Sequence, residues 1–113
     1  MYVLDSDIAI WILRGSKKII AALDKLAGQA KTGVSVITIA EIYKFTFPSE
    51  FRKNEDFIEN HQILNTNLEI AKEAGLYWNQ FHNKLLNLSL ADTLVAATAK
   101  VHSATLVTLN TRH

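Results

Sequence analysis

The chain has 113 residues, 49% of them hydrophobic and 20% charged, with a formal net charge of +1. That length and apolar content suit one soluble domain, residues 1–113, whose core closes without staples, and the near-neutral balance gives no global sign of a nucleic-acid partner. The absence of cysteine excludes disulfides, zinc-thiolate sites and thiol nucleophiles; a cytoplasmic location is expected, and any metal must be held by oxygen or imidazole.

The start of the chain has no basic segment ahead of an apolar one, and the longest apolar run, Ile8 to Leu13, is too short to span a bilayer. Neither a signal peptide nor a membrane anchor is expected. Tyr2 to Leu4 reads as a short buried strand that delivers Asp5 to its C-terminal end, and Asp7 is placed to cap a helical turn running to Gly15. Ser16 caps a second helix, "KKIIAALDKLAG", whose Ile19, Ile20, Leu23, Leu26 and Ala27 share one face, predicted to be core, with Gly28 closing it. "GVSVIT" is β-branched and reads as a strand; "TIAEIYKF" leaves it as a helix that cannot run unperturbed through Pro48. "EFRKNEDFIENH" predicts a charged surface helix and "HQIL" a third short strand. From Asn67 a longer helix is predicted to bury Leu68, Ile70, Ala71, Ala74, Trp78 and Phe81; "SLADTLVAATAKVH" gives another helix and "ATLVTLN" a last strand. Strands alternating with helices imply an α/β fold, a parallel sheet covered on both faces.

In such folds the loops after the strands converge. Asp5 ends the first strand, Glu41 is predicted in the first turn after "VSVIT", Asp92 in the first turn of "SLADTLVAATA", and Asn110 at the end of the last strand. Gathered at one edge, three carboxylates and an amide repel strongly unless a divalent cation neutralises them, and an all-oxygen donor set selects Mg²⁺ or Mn²⁺. A plainer reading stands beside this one. Thr38 with Glu41, and Ser89 with Asp92, both match the capping box, and Asp5, Asp7 and Asn110 are ordinary cap or turn residues. Against that reading, every strand-to-helix junction bears a carboxylate. His61, His82 and His102 read as surface or internally satisfied groups, while His113 beside Arg112 is placed either to meet a phosphate or to end as a solvated terminus. Trp11, Tyr43, Phe45, Phe47, Tyr77, Trp78 and Phe81 read as core or interface aromatics.

The segments "VLDSDIAI", "VSVITIAEIYKF", "SLADTLVAATA" and "ATLVTLNTRH", in that order, resemble the PIN-domain ribonucleases, especially the VapC-type toxins of prokaryotic toxin-antitoxin pairs. The resemblance runs from Met1 to His113. It implies a three-layer α/β/α domain with a short central parallel sheet. Its metal-site acids fall on Asp5, Glu41 and Asp92, with Asn110 at a fourth position that is often Asp. Ser6 stands where the family has a supporting Thr, Thr108 matches a hydroxyl position near the end of the last strand, and Asp7 replaces a more usual Asn. Relatives commonly continue past the position of His113 with a Phe and a further strand, so the last edge strand is expected to be absent here.

The resemblance further implies hydrolysis of RNA phosphodiester bonds with Mg²⁺ or Mn²⁺, held by Asp5 and Asp92 with Asn110, and with Glu41 holding or deprotonating a water. It implies a small VapB-like antitoxin and a homodimer. Arg14, Lys17, Lys18 and Arg112 would then supply phosphate contacts, although each taken by itself reads first as a solvated surface charge. Two alternatives stand. One is a degenerate PIN domain that binds RNA or protein without cutting. The other is a haloacid-dehalogenase-like phosphatase, whose opening motif "VLDSD" resembles, although Ala9 stands where that family has Thr or Val and Glu41 would have no role.

Overall fold

Successive residues of a strand point to opposite faces of the sheet, and that alternation organises everything packed around the first strand, Tyr2–Leu4. The structure, a computed structural model, describes residues 1–28 and 30–109. In chain order the elements are β1 (Tyr2–Leu4), α1 (Ser6–Leu13), α2 (Lys17–Ala27), β2 (Thr32–Ser35), α3 (Val36–Lys44), a 3-10 turn (Pro48–Glu50), α4 (Phe51–Glu59), β3 (Gln62–Leu64), α5 (Leu68–Phe81), α6 (Leu90–Val101) and β4 (Thr105–Val107). The four strands form one parallel sheet in the order β3-β2-β1-β4.

Leu4 and Val34 face one side, where they pack with Ile8 and Ala9 of α1, Ile42 of α3 and Phe57 of α4. Val3 and Leu64 face the other, against Val95 and Ala99 of α6. β4 divides in the same way, with Leu106 on the α6 side and Val107 on the α1 side. Ile70 and Ala74 of α5 close over Ala97 of α6. The result is the expected α/β/α sandwich, and the central strand β1 has lost all exposure at Val3 and Leu4.

The local signals behave unevenly. Ser16 accepts a hydrogen bond from the Ile19 N–H and caps α2, Gly28 ends it at a φ of 55° that only glycine adopts without strain, and Asn67 caps α5 through the Ile70 N–H. The strand expected over "GVSVIT" stops at Ser35, whose side chain accepts from the Ile37 N–H and starts α3 at Val36. The buried β-branched residues beyond it therefore belong to a helix, since tertiary packing overrides their strand propensity. Asp5 rather than Asp7 is the N-cap of α1.

Two helices are less buried than predicted. On α2 no residue is fully buried, and Ile20 and Leu26 are exposed. On α5 only Ile70 and Ala74 are buried, while Leu68 is 70% exposed and Trp78 is also exposed. A strand only three or four residues long offers too little sheet for both helices to cover. Conversely, the charged helix α4 puts Phe57 and Asn54 into the interior. Phe57 is the buried aromatic of the core; Trp11, Phe45, Phe47 and Trp78 stay at the surface.

Candidate metal centre

β2 and β3 lie on one side of β1 and β4 on the other. The connections out of β1 thus diverge beside β4, and such a reversal of strand order opens a crevice at the strand C-termini. Asp5 stands at that point. Its backbone N–H donates to the Val107 carbonyl at 2.9 Å, which ties the end of β1 to the end of β4. Its Oδ1 accepts from the Ser6 N–H at 2.8 Å, and its Oδ2 accepts from the Thr108 hydroxyl at 2.8 Å. The two donors fix the carboxylate while each oxygen keeps a lone pair for a further partner.

Asp92 arrives from α6. Ser89 and Asp92 form the capping box expected from the sequence: the Asp92 N–H donates to Ser89 Oγ at 3.0 Å and the Ser89 N–H to Asp92 Oδ2 at 3.2 Å. Capping does not remove Asp92 from the site. Asp5 and Asp92 line one open cleft, together with Tyr77, Ala96, Lys100 and Leu106.

Asp7 lies beside them. Its Oδ1 accepts from the Ile8 N–H at 2.7 Å and its Oδ2 from the Leu109 N–H at 3.3 Å. Burial pushes its pKa above the ordinary carboxylate value; the charge of Asp5 adds to the rise, those two N–H groups partly oppose it, and Asp92 contributes further. Asp7 therefore senses both cleft acids.

Glu41 is placed differently from the expectation. Because α3 begins at Val36, Glu41 sits in its second turn rather than its first. It does not line the cleft of Asp5 and Asp92 but joins the rim through Ser6, whose hydroxyl donates to Glu41 Oε1 at 2.7 Å and lies 3.2 Å from Thr38 Oγ1. Thr38, read from the sequence as a possible cap, is instead a buried member of this hydroxyl chain. Asn110, Arg112 and His113 lie outside the described residues.

Among the described residues no three His, Cys, Asp or Glu side chains stand close enough to share an ion. Two carboxylates on an open cleft are nonetheless a suitable donor set for Mg²⁺, which keeps several waters and is commonly held by one or two carboxylates plus substrate phosphate. The donors are all oxygen, which suits Mg²⁺ or Mn²⁺ and disfavours soft metals.

Of the basic residues singled out from the sequence, the described ones, Arg14, Lys17 and Lys18, do not line this cleft. Arg14 stands 5.5 Å from the centre of the Trp11 ring and lines a separate cavity with Ile42 and Asn54; Lys17 and Lys18 are exposed at the start of α2. Among the described residues the cation lining the acidic cleft is Lys100, which sequence reading missed. Its signal was available, since Asp92, Ala96 and Lys100 recur at four-residue spacing along one helix face. No helix among the described residues is long and apolar enough to cross a membrane.

Comparison with known proteins agrees with this architecture. Residues 2–113 match the PIN domain family. The whole chain is 32% identical over 116 aligned residues to Ribonuclease VapC10 of Mycobacterium tuberculosis, covering 85% of that protein. Among solved structures, VapBC-1 from nontypeable Haemophilus influenzae is similar with a TM-score of 0.77 and 27% identity, over 96% of this chain and 86% of that one. A Klebsiella pneumoniae toxin-antitoxin complex, with a TM-score of 0.79 and 22% identity over 99% of this chain and 88% of its own, shares the fold. The full-length family match and the full-length relative together show that the chain belongs to the PIN-domain family.

Proposed function

We propose that this protein is a metal-dependent endoribonuclease of the VapC type, which hydrolyses RNA phosphodiester bonds with Mg²⁺ or Mn²⁺ and is restrained by a small VapB-like antitoxin. The observation that carries the reading is the delivery of Asp5 and Asp92, from opposite ends of the chain, to one cleft at the point where the strand order reverses. The identity to a VapC ribonuclease supports the substrate class, and the likeness to a VapBC structure supports the antitoxin.

When bound, a divalent cation neutralises the facing carboxylates and acidifies a coordinated water. Asp5 and Asp92 would hold it, with Asn110 as a further donor. Ser6 N–H and Thr108 fix the plane of the Asp5 carboxylate, and the capping box fixes that of Asp92. Such orienting bonds are what sets the affinity of a metal site beyond its ligands. Glu41, anchored by Ser6, would hold a water or accept its proton at the rim.

Cleavage of a structured RNA by the purified chain, with Mg²⁺ or Mn²⁺ and with a chelator, tests the reading. Activity is expected only with metal. Asp5→Asn and Asp92→Asn are each expected to lower it at least about a hundredfold, because several kcal/mol of charge stabilisation is lost. Full activity in both variants would refute the site, and metal-independent RNA binding without cleavage would assign the chain as a binding module instead.

A further inference from the structure

Lys100 is the cation that lines the acidic cleft among the described residues, and its setting is specific. Asp92, Ala96 and Lys100 line the cleft from one face of α6. Eight positions of helix separate Asp92 from Lys100, about 12 Å of backbone along the axis. On α6 the short side chains of Ala96 and Ala99 lie between them, and Ala104, Leu106, Leu88 and Tyr77 complete the lining, so one cleft holds both the acids and the lysine. A second, smaller hollow shares Tyr77, Ala96 and Lys100 with it and adds Glu73 of α5. Lys100 Nζ lies 2.8 Å from a Glu73 carboxylate oxygen, and the lysine side chain is 73% exposed.

We propose that Lys100 binds a backbone phosphate of the RNA further along the strand from the one at the acids, and that Glu73 competes with the RNA for it. This rests on the ribonuclease reading above. A polyanion approaching Asp5, Asp7 and Asp92 meets like charge, so a cation further along the same cleft gives the strand a second point of attachment. An exposed ion pair of this kind is weak. Its exchange for a phosphate contact, which also releases counterions from the nucleic acid, is therefore easy. Lysine suits this as a point charge without geometric demand on the phosphate.

An α5–α6 tie with no role in binding makes a different prediction, because loss of either partner would then have the same effect. The test is the dependence of RNA cleavage on substrate concentration and salt for the full chain with Mg²⁺, using a single-stranded oligoribonucleotide. Lys100→Met is expected to raise KM severalfold with a smaller change in kcat, and to reduce the slope of log KM against log salt by about 0.7, one phosphate contact on a single strand. Lys100→Arg should restore both. Glu73→Gln should lower KM, the opposite sign. Equal or same-direction changes in Lys100→Met and Glu73→Gln would overturn the proposal. If the unaltered chain does not cleave, the ribonuclease reading fails on its own, and fluorescence anisotropy with the same labelled oligoribonucleotide decides Lys100. Opposite shifts in affinity would support it and unchanged affinity would overturn it. Should Lys100→Met not fold, as judged by its melting curve, the sign of the Glu73→Gln effect decides.

Discussion

Residues of the same type carry different burdens here. Asp5 is held by two donors and takes the N-cap of α1, whereas Asp7, two positions on, pays for burial near two other acids with a raised pKa. Spacing along the sequence could not distinguish them, because their partners Thr108 and Leu109 come from the far end of the chain. His61 shows a titration tied to packing rather than to the site. Its ring lies 4.4 Å from that of Phe57, its Nδ1 shares a 2.6 Å hydrogen bond with Thr32 Oγ1, and burial holds its pKa below the ordinary 6.5. The unfolded chain takes up a proton as pH falls through 6.5, while the folded chain resists until lower pH. In that window the unfolded state binds more protons, so stability falls as the solution is acidified. Urea unfolding on either side of pH 6.5 should show this loss, and His61→Gln should flatten it. An unchanged slope in the variant would assign the pH dependence to other groups.

At the scale of elements, helix starts with a polar side chain facing solvent were legible. Ser16, Asn67 and the Ser89–Asp92 pair all cap where the sequence places them. Ser89→Ala should lower stability by about 1 kcal/mol in chemical denaturation, as loss of a capping hydroxyl does. A change within error would mean that the Asp92 carboxylate alone sustains the helix start. The start of α3 was misread because "VSVIT" suits a strand and a buried helix equally, and only the sheet, which ends at Ser35, decides. That one-turn difference moved Glu41 from the cleft to its rim. Lys100 becomes legible only with the cleft in view, since a lysine on a helix face is otherwise an ordinary solvated charge.

For the whole molecule, alternation of strands and helices sufficed to give the parallel sheet, but not its order, which depends on which strand pairs β1 on each side. The order β3-β2-β1-β4 brings Thr108 and the end of β1 together and makes a cleft of what would otherwise be separate loop ends. The outer surface keeps large aromatics, with Phe47 74% and Phe45 57% exposed. We propose that part of this surface is covered in a homodimer. Sedimentation at micromolar concentration should give twice the 12.7 kDa chain mass, and a monomer would exclude the dimer. More narrowly, we propose that sequence-distant Asp5 and Asp92 together hold a divalent ion. Calorimetric titration of the full chain with Mn²⁺ tests it without RNA. The account predicts binding that is lost or weakened at least about tenfold in Asp5→Asn and in Asp92→Asn alike, whereas undiminished Mn²⁺ affinity in either variant would contradict it.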